Sequence, residues 1–198
     1  MQTNTKIDEI LERLHKVQQE LEQELDKMLV EKRRQFDYRL QRGKVIFEKN
    51  VRQKLKSQRI RTWQYISKAP IIYILSSPLI YGMIFPLFFL DITITLYQQI
   101  CFRIYGIPRV VRADYLVIDR GQLSYLNTVE KFNCIYCGYG NGLIEYVREV
   151  IARTEQYWCP IKHAKRTLAQ HDRTQNYFDY GDAENYRLNL EKVRKNWD

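Results

Sequence analysis

Three cysteines and a histidine stand in two short runs, Cys134-Ile135-Tyr136-Cys137 and Cys159-Pro160-Ile161-Lys162-His163. Written as C-x2-C-x21-C-x3-H, they offer four soft or borderline donors, the set that closes a tetrahedral zinc site. Gly138 and Gly140 predict a loose turn that lets both sulfurs of the first pair reach one ion. Pro160 suits the first position of a helix, which predicts Cys159 as its cap and His163 one turn later, facing the same point. The expectation is a structural zinc ion held by Cys134, Cys137, Cys159 and His163, with an iron–sulfur cluster as the alternative cofactor.

Other uses of these residues are weighed against that one. A lone CxxC can be a redox dithiol, but the surrounding pattern is not that of a thioredoxin-like fold. Gly138 follows Cys137 where c-type haem attachment needs histidine. Four cysteines, counting Cys101, could form two disulfides outside a cell. If the metal were open-sided, Glu145, Glu149 or His171 would be the nearby acid or base, giving a membrane-associated metalloenzyme or redox component. No Ser, His and Asp arrangement and no phosphate-cradling glycine loop accompanies them. A reaction is therefore not read from the sequence. Cys101 reads as an ordinary buried or lipid-facing thiol, with palmitoylation the sharper reading. His15 and His171 read as surface residues, His171 also as an outer partner of the metal site.

The elements that would position this site form a small α+β module over residues 106–175. Asp114 to Asp119 predicts a short strand. Leu143, Ile144, Val147, Val150 and Ile151 predict an amphipathic helix over 142–157, between the two ligand pairs. Residues 176–198 complete the chain with an aromatic and acidic loop and a helix from Ala183 to Trp197 capped by Asp182.

Before that module, residues 69–105 are strongly apolar. Between Lys68 and Asp91 no charged residue occurs, and as a helix those 22 positions would reach about 33 Å, enough for a bilayer core. Ser76-Ser77-Pro78, Gly82 and Pro86 loosen the helical geometry and predict a break. Basic residues flank both ends, Arg59, Arg61 and Lys68 before and Arg103, Arg109 and Arg112 after, so the positive-inside rule favours a hairpin that returns to the cytoplasmic side over a single span. Residues 92–105 read as an interfacial helix. Asp91 sits where the apolar run ends and is expected to meet water or pair with Arg103 or an upstream basic side chain.

The N-terminal third is built differently. In residues 1–30, Ile7, Ile10, Leu14, Val17, Leu21 and Met28 recur at three- and four-residue steps and predict a short coiled coil, interrupted where Glu24 and Glu31 fall on the seam. Residues 31–68 carry 13 basic and three acidic side chains, which locates most of the net charge of +9. They predict a basic amphipathic stalk helix through Phe36, Leu40 and Val45, with Gly43 a tolerated weak point. Beside an apolar segment, such a block is drawn to anionic lipid headgroups. The aromatic and basic interleaving of a nucleic-acid sheet is not present, which disfavours nucleic acid.

The pairing of two thiols on a turn with two donors on a helix resembles, in parts, the treble-clef zinc modules, from which the intervening helix departs. Ile107-Pro108-Arg109, Asn133 to Cys137, Arg153 to Ala164 and Tyr180 to Glu184 resemble an uncharacterised family of small bacterial membrane proteins. The likeness covers about the C-terminal half and includes Phe89-Leu90-Asp91. It implies a bacterial membrane and supplies no activity; with the flanking basic residues, the expected location is the bacterial inner membrane with the soluble parts on the cytoplasmic side. The expected architecture is mainly α: a long N-terminal helix or coiled coil, a membrane hairpin or span, and a small α+β metal-binding module at the C-terminus. The expected role is a membrane-attached interaction or scaffold protein, bound to lipids and to a protein partner or a second copy.

Overall fold

A computed structural model describes residues 2–36, 38–41, 44–165, 167–168 and 170–197, with side chains except at 2–9, 11, 12, 15, 39–41 and 44. Gly43 and the side chains of Ile7, His15 and Leu40 lie outside the described residues. The described residues are mainly helical and fall into two compact units, 1–60 with 122–126, and 61–121 with 127–198.

The first unit begins with one uninterrupted helix, α1 (Gln2–Gln35). Leu14, Val17, Leu21, Leu25 and Met28 lie exposed along it. Leu25 extends the stripe where Glu24 leaves the seven-residue seam, so the line follows the straight helix's 3.6-residue period. Three basic residues, Lys32, Arg33 and Arg34, occupy the last turn, where the helix dipole favours positive charge.

The expected stalk over 31–68 is not one helix. A two-stranded antiparallel hairpin, β1 (Tyr38–Gln41) and β2 (Lys44–Phe47), follows α1, with Tyr38 paired to Phe47. Those two rings lie 5.8 Å apart, a cross-strand aromatic contact that favours the pairing. The Gln122 side chain accepts a 3.0 Å hydrogen bond from the Val45 backbone N–H. A nine-residue helix, α2 (Lys49–Ser57), closes this unit with Lys54 and Lys56 in its last turn.

The second unit starts with the short α3 (Thr62–Ser67) and then runs into α4 (Ile71–Gly82) and α5 (Ile84–Tyr97). These continue through a π-helical turn, Gln98–Phe102, and the single-turn α6 (Arg103–Tyr105). The expected hairpin is absent from this stretch. Met83, between α4 and α5, keeps a right-handed helical conformation, so Pro86 interrupts the hydrogen-bond ladder without reversing the chain. Gly106, at φ +69°, ends the run. Its left-handed conformation suits glycine, and the Ile107 N–H reaches back to the Phe102 carbonyl at 2.9 Å.

From Ile107 the chain doubles back beside α5 as a strap. The Gln98 side chain fixes it, accepting from the Val110 N–H at 2.7 Å and donating to the Val110 carbonyl at 3.3 Å and to the Tyr146 hydroxyl at 3.0 Å. The expected strand at 114–119 is replaced by the one-turn α7 (Arg112–Tyr115) and extended chain ending in a 3-10 turn, Arg120–Gln122. Among the described residues no strand pairs with it; the segment packs on a helix instead.

That helix is α8 (Thr128–Trp158), opened by a capping box in which the Asn127 side chain accepts from the Val129 and Glu130 N–H groups and Glu130 accepts from the Asn127 N–H. Contacts of Tyr81 with Asn133, Leu87 with Gly140 and Gln98 with Tyr146 advance together along both chains, so α8 runs parallel to α4 and α5. The core between helices and strap contains Phe102, Ile107, Val110, Leu143, Tyr146, Val147 and Val150.

Gly138, Gly140 and Gly142 lie inside α8, not on a turn. They admit neighbours: a Cβ on Gly142 would sit 2.6 Å from the Tyr115 carbonyl oxygen and 3.0 Å from Leu116 Cα, whereas one on Gly140 would meet Leu87 at an ordinary 3.5 Å. After α8, a 3-10 turn (Asp172–Asn176) and α9 (Ala183–Lys195), capped by Asp182, pack on its C-terminal half.

The two glycines are therefore expected to respond oppositely to alanine. Gly142→Ala should cost about 1–3 kcal/mol by overpacking against fixed backbone, while Gly140→Ala should be neutral or stabilising by up to about 1 kcal/mol through helix propensity. Chemical denaturation of both variants measures the difference, and equal effects would contradict the close approach of the strap.

Candidate functional site

The structure separates the four expected metal ligands. Cys134 and Cys137 lie within α8, and Cys159 is its C-terminal cap. Twenty-one residues of continuous helix stand between Cys137 and Cys159, and the 22 steps from one to the other span about 33 Å at 1.5 Å per residue. One ion cannot bridge that distance within a chain. Among the described residues, no group of three or more His, Cys, Asp or Glu side chains is placed to hold a metal ion. In the structure the four side chains are not gathered at one point, and the segment expected as an α+β metal module is helical, built on α8.

The second pair also lacks its predicted helix. Pro160 cannot donate to the helical ladder, and α8 stops at Trp158. The chain then runs extended: the Phe178 N–H donates to the Pro160 carbonyl at 2.9 Å and the Lys162 N–H to the Phe178 carbonyl at 2.8 Å, a parallel bridge around Ile161. His163 is exposed beyond it. Burial, with the Glu155 carboxylate second, pushes the Cys159 thiol above its ordinary value.

His171, Glu149 and Glu145, the residues considered as acids or bases, do not share a site. Glu145 pairs with Arg148 on the surface at 3.5 Å. Glu149 accepts from Arg153 at 2.7 Å and from Arg173 at 2.8 Å, and Arg173 also donates to Gln156 at 3.0 Å. His171 meets Glu155 at 2.8 Å and its ring lies against Tyr177. Burial would raise Glu149, but hydrogen bonds from Arg153 and Arg173 outweigh it and hold the carboxyl below its ordinary value. These groups are paired off in fastening the 171–178 segment to α8.

Among the described residues, a long apolar surface is left exposed. The run Ile71–Tyr105 is a 35-residue helix long and apolar enough, by length and composition, to cross a membrane, and among the described residues it is the one such helix. Its outward stripe, including Phe85, Phe89, Ile92, Leu96, Ile100 and Ile104, is exposed. The inward side chains Leu87, Leu90, Ile94 and Tyr97 pack toward the core of the second unit.

Polar groups along this helix are satisfied from within. The Ser77 hydroxyl donates to the Ile74 carbonyl at 2.7 Å, the same carbonyl that Pro78, four residues on, cannot bond. Ser76 donates to the Tyr73 carbonyl at 3.1 Å, and Thr93 to the Phe89 and Leu90 carbonyls at 2.9 and 3.0 Å. Asp91 pairs with Arg112 at 2.6 Å and accepts from Tyr139 at 3.0 Å. The partner expected for Asp91, Arg103 or a residue upstream, is thus corrected to Arg112, which the strap brings back. Burial first, and then the bond to Asp91, push the Tyr139 hydroxyl up to about 12, so it stays a donor at neutral pH.

Sequence reasoning missed Arg112, Tyr139, Glu149 and Arg173 as partners because the contacts cross long stretches of chain. Ser77 was within its reach, since a serine immediately before a helical proline can cover the carbonyl the proline orphans.

Compared with known proteins, the chain matches no protein-family model, no curated protein and no solved structure.

Two outcomes follow from this geometry. Cys134→Ser and Cys159→Ser should each leave stability within about 0.5 kcal/mol, as surface substitutions do, and a chelator should not move the melting temperature; a large chelator-induced drop would restore a structural metal. Separately, Glu149 has a depressed folded-state pKa, so its contribution is present above the ordinary carboxylate value of about 4.3 and is lost as pH falls through the lower folded value. Melting temperature measured downward from pH 6 should fall in that acidic window, and Glu149→Gln should flatten the fall.

Proposed function

We propose that this chain is a membrane-attached scaffold, whose second unit binds lipid through the Ile71–Tyr105 helix and whose first unit presents a basic block and an open helical stripe to further partners. One observation carries the reading: the exposed apolar stripe of the Ile71–Tyr105 helix; the Ser76, Ser77 and Thr93 hydroxyls on it bond their own backbone, which is compatible with lipid. In water those hydroxyls have solvent to bond; in hydrocarbon an unbonded one is costly, so internal satisfaction is the arrangement lipid requires. Exposed apolar patches of this extent on a soluble monomer are otherwise uncommon.

The basic block supports the same reading. Arg52, Lys54, Lys56, Arg59 and Arg61 stand exposed shortly before the apolar helix in sequence, and anionic headgroups attract such residues by about 1 kcal/mol each. The stripe of Leu14, Val17, Leu21, Leu25 and Met28 on α1 fits an apolar seam on another helix, which supports self-association or a helical protein partner as the scaffold's other contact. No reaction is proposed: Glu145, Glu149 and His171 are each engaged with other side chains and do not share a site.

Flotation with vesicles of phosphatidylcholine and phosphatidylglycerol tests the reading. The full chain should float with the lipid, less completely at high salt. Replacing Phe85, Phe88 and Phe89 together by serine should weaken partitioning at least about tenfold, given about 1.5–3 kcal/mol for each large apolar side chain. Leu188→Ser, on exposed α9, should change nothing. A wild-type chain that stays with the soluble fraction would overturn membrane attachment.

A further inference from the structure

We propose that the second unit enters a single leaflet and lies along the membrane, with the Ile71–Tyr105 helix submerged, α8 stacked above it, and both flanks on the same side. This rests on the membrane attachment proposed above and replaces both the hairpin and the crossing span with a third topology.

The first argument is the position of charge. Ile80 and Tyr81 stand at the middle of the charge-free stretch, where the centre of a bilayer would fall if residues 69–90 crossed it. Tyr81 donates to the Asn133 side chain at 2.5 Å, and Tyr136 donates to the Ile80 carbonyl at 2.6 Å. The opening of α8, with Glu130 and Lys131, is therefore within about one helical turn of that level. Gly121, next to Arg120, approaches Ile135 on the same part of α8. A perpendicular crossing would carry these charged residues close to the hydrocarbon midplane, the costliest place for them.

Length argues the same way. At 1.5 Å per residue the 35-residue helix is about 52 Å long, against a hydrocarbon core of about 30 Å. Its exposed stripe continues to Ile104, which is 70 % exposed. A crossing helix would leave the last turns of that stripe in water, whereas a helix lying along the surface immerses all of it.

The layering of α8 completes the picture. Its α5-facing line contains Gly140, Leu143 and Val147, and at about 100° per residue Ile144 and Ile151 fall on the adjoining flank; both are about half exposed. Cys137, Asn141, Glu145 and Arg148 fall on the side turned away, and all four are exposed. Apolar stripe, half-exposed flank and polar back succeed one another in the order of a leaflet, its interface and water. At the C-terminal end of the helix Trp158 packs edge-on against Tyr105 at 5.1 Å, beside the exposed Arg103. Such an aromatic and basic grouping sits at headgroup level.

Labelling of the full chain in membranes tests this. With Cys101, Cys134, Cys137 and Cys159 replaced by serine, single cysteines are introduced as Gln64→Cys before the helix and Leu188→Cys after it. In sealed vesicles from expressing cells, a membrane-impermeant maleimide should label both or spare both. Opposite behaviour would overturn the one-leaflet topology while leaving membrane attachment intact. A depth series then separates a flat helix from a reversing one: fluorophores at Leu75, Phe85, Leu96 and Ile104 should be quenched to similar extents by lipids brominated near the headgroup. A quenching maximum in the middle of the helix by deep-brominated lipid would also overturn the topology. A chain that does not sediment with membranes at all overturns the attachment itself.

Discussion

One buried amide organises the second unit. Gln98 uses both ends of its side chain on Val110 and passes a further hydrogen bond to Tyr146, so strap, α5 and α8 meet at a single fully bonded point. In a low-dielectric setting such a group is favourable only when all its partners are present; losing it would strand the Val110 N–H in the core. With Val110 fixed, Arg112 is brought to Asp91, and Tyr115 and Leu116 are laid against Gly142. The π-helical turn that begins at Gln98 places this amide on the inner face just as the helix approaches its end.

The same packing explains why the four donors of the motif are not gathered at one point in the structure. C-x2-C followed by glycines reads as a turn when only local flexibility is considered. In the folded chain those glycines serve a different need, the close passage of one backbone past another. The capping box at Asn127 commits the following residues to helix, and the helix then holds Cys137 and Cys159 apart by its own rigidity. Spacing in sequence specifies a metal site only when the intervening chain can fold back, and a continuous α8 cannot.

The apolar helix illustrates how polar and apolar demands are met on one element. Its inner face supplies Leu87, Leu90 and Ile94 to the core, its outer face is exposed among the described residues, and the Ser76, Ser77 and Thr93 hydroxyls are turned onto carbonyls of the helix itself. Asp91, the one carboxylate on it, is held by Arg112 and Tyr139 and is not left to the medium. The paired charge, the shielded hydroxyls and the open apolar stripe all agree with a surface that meets lipid, and none of them requires a reaction.

What the sequence determined by itself was local and periodic. The helical character of residues 2–35, the apolar, charge-free character of residues 69–90, the Asp182-capped C-terminal helix and the burial of Leu143, Val147 and Val150 follow from spacing and caps over a few turns, whereas Ile144 and Ile151, expected on the same face, are about half exposed. The hairpin at Tyr38–Phe47 was missed because an isolated pair of four-residue strands carries too little alternation to outweigh a helical pattern on either side. Only the tertiary structure decided that Pro78 and Pro86 leave the helix running forward, that α8 lies parallel to it, and that Arg112 serves Asp91. The last of those depends on a strap that returns from Ile107 and passes close over Gly138 and Gly142. Contacts between residues tens of positions apart leave no periodic trace in the chain, so packing energy, and not local preference, chose among the topologies the sequence allowed.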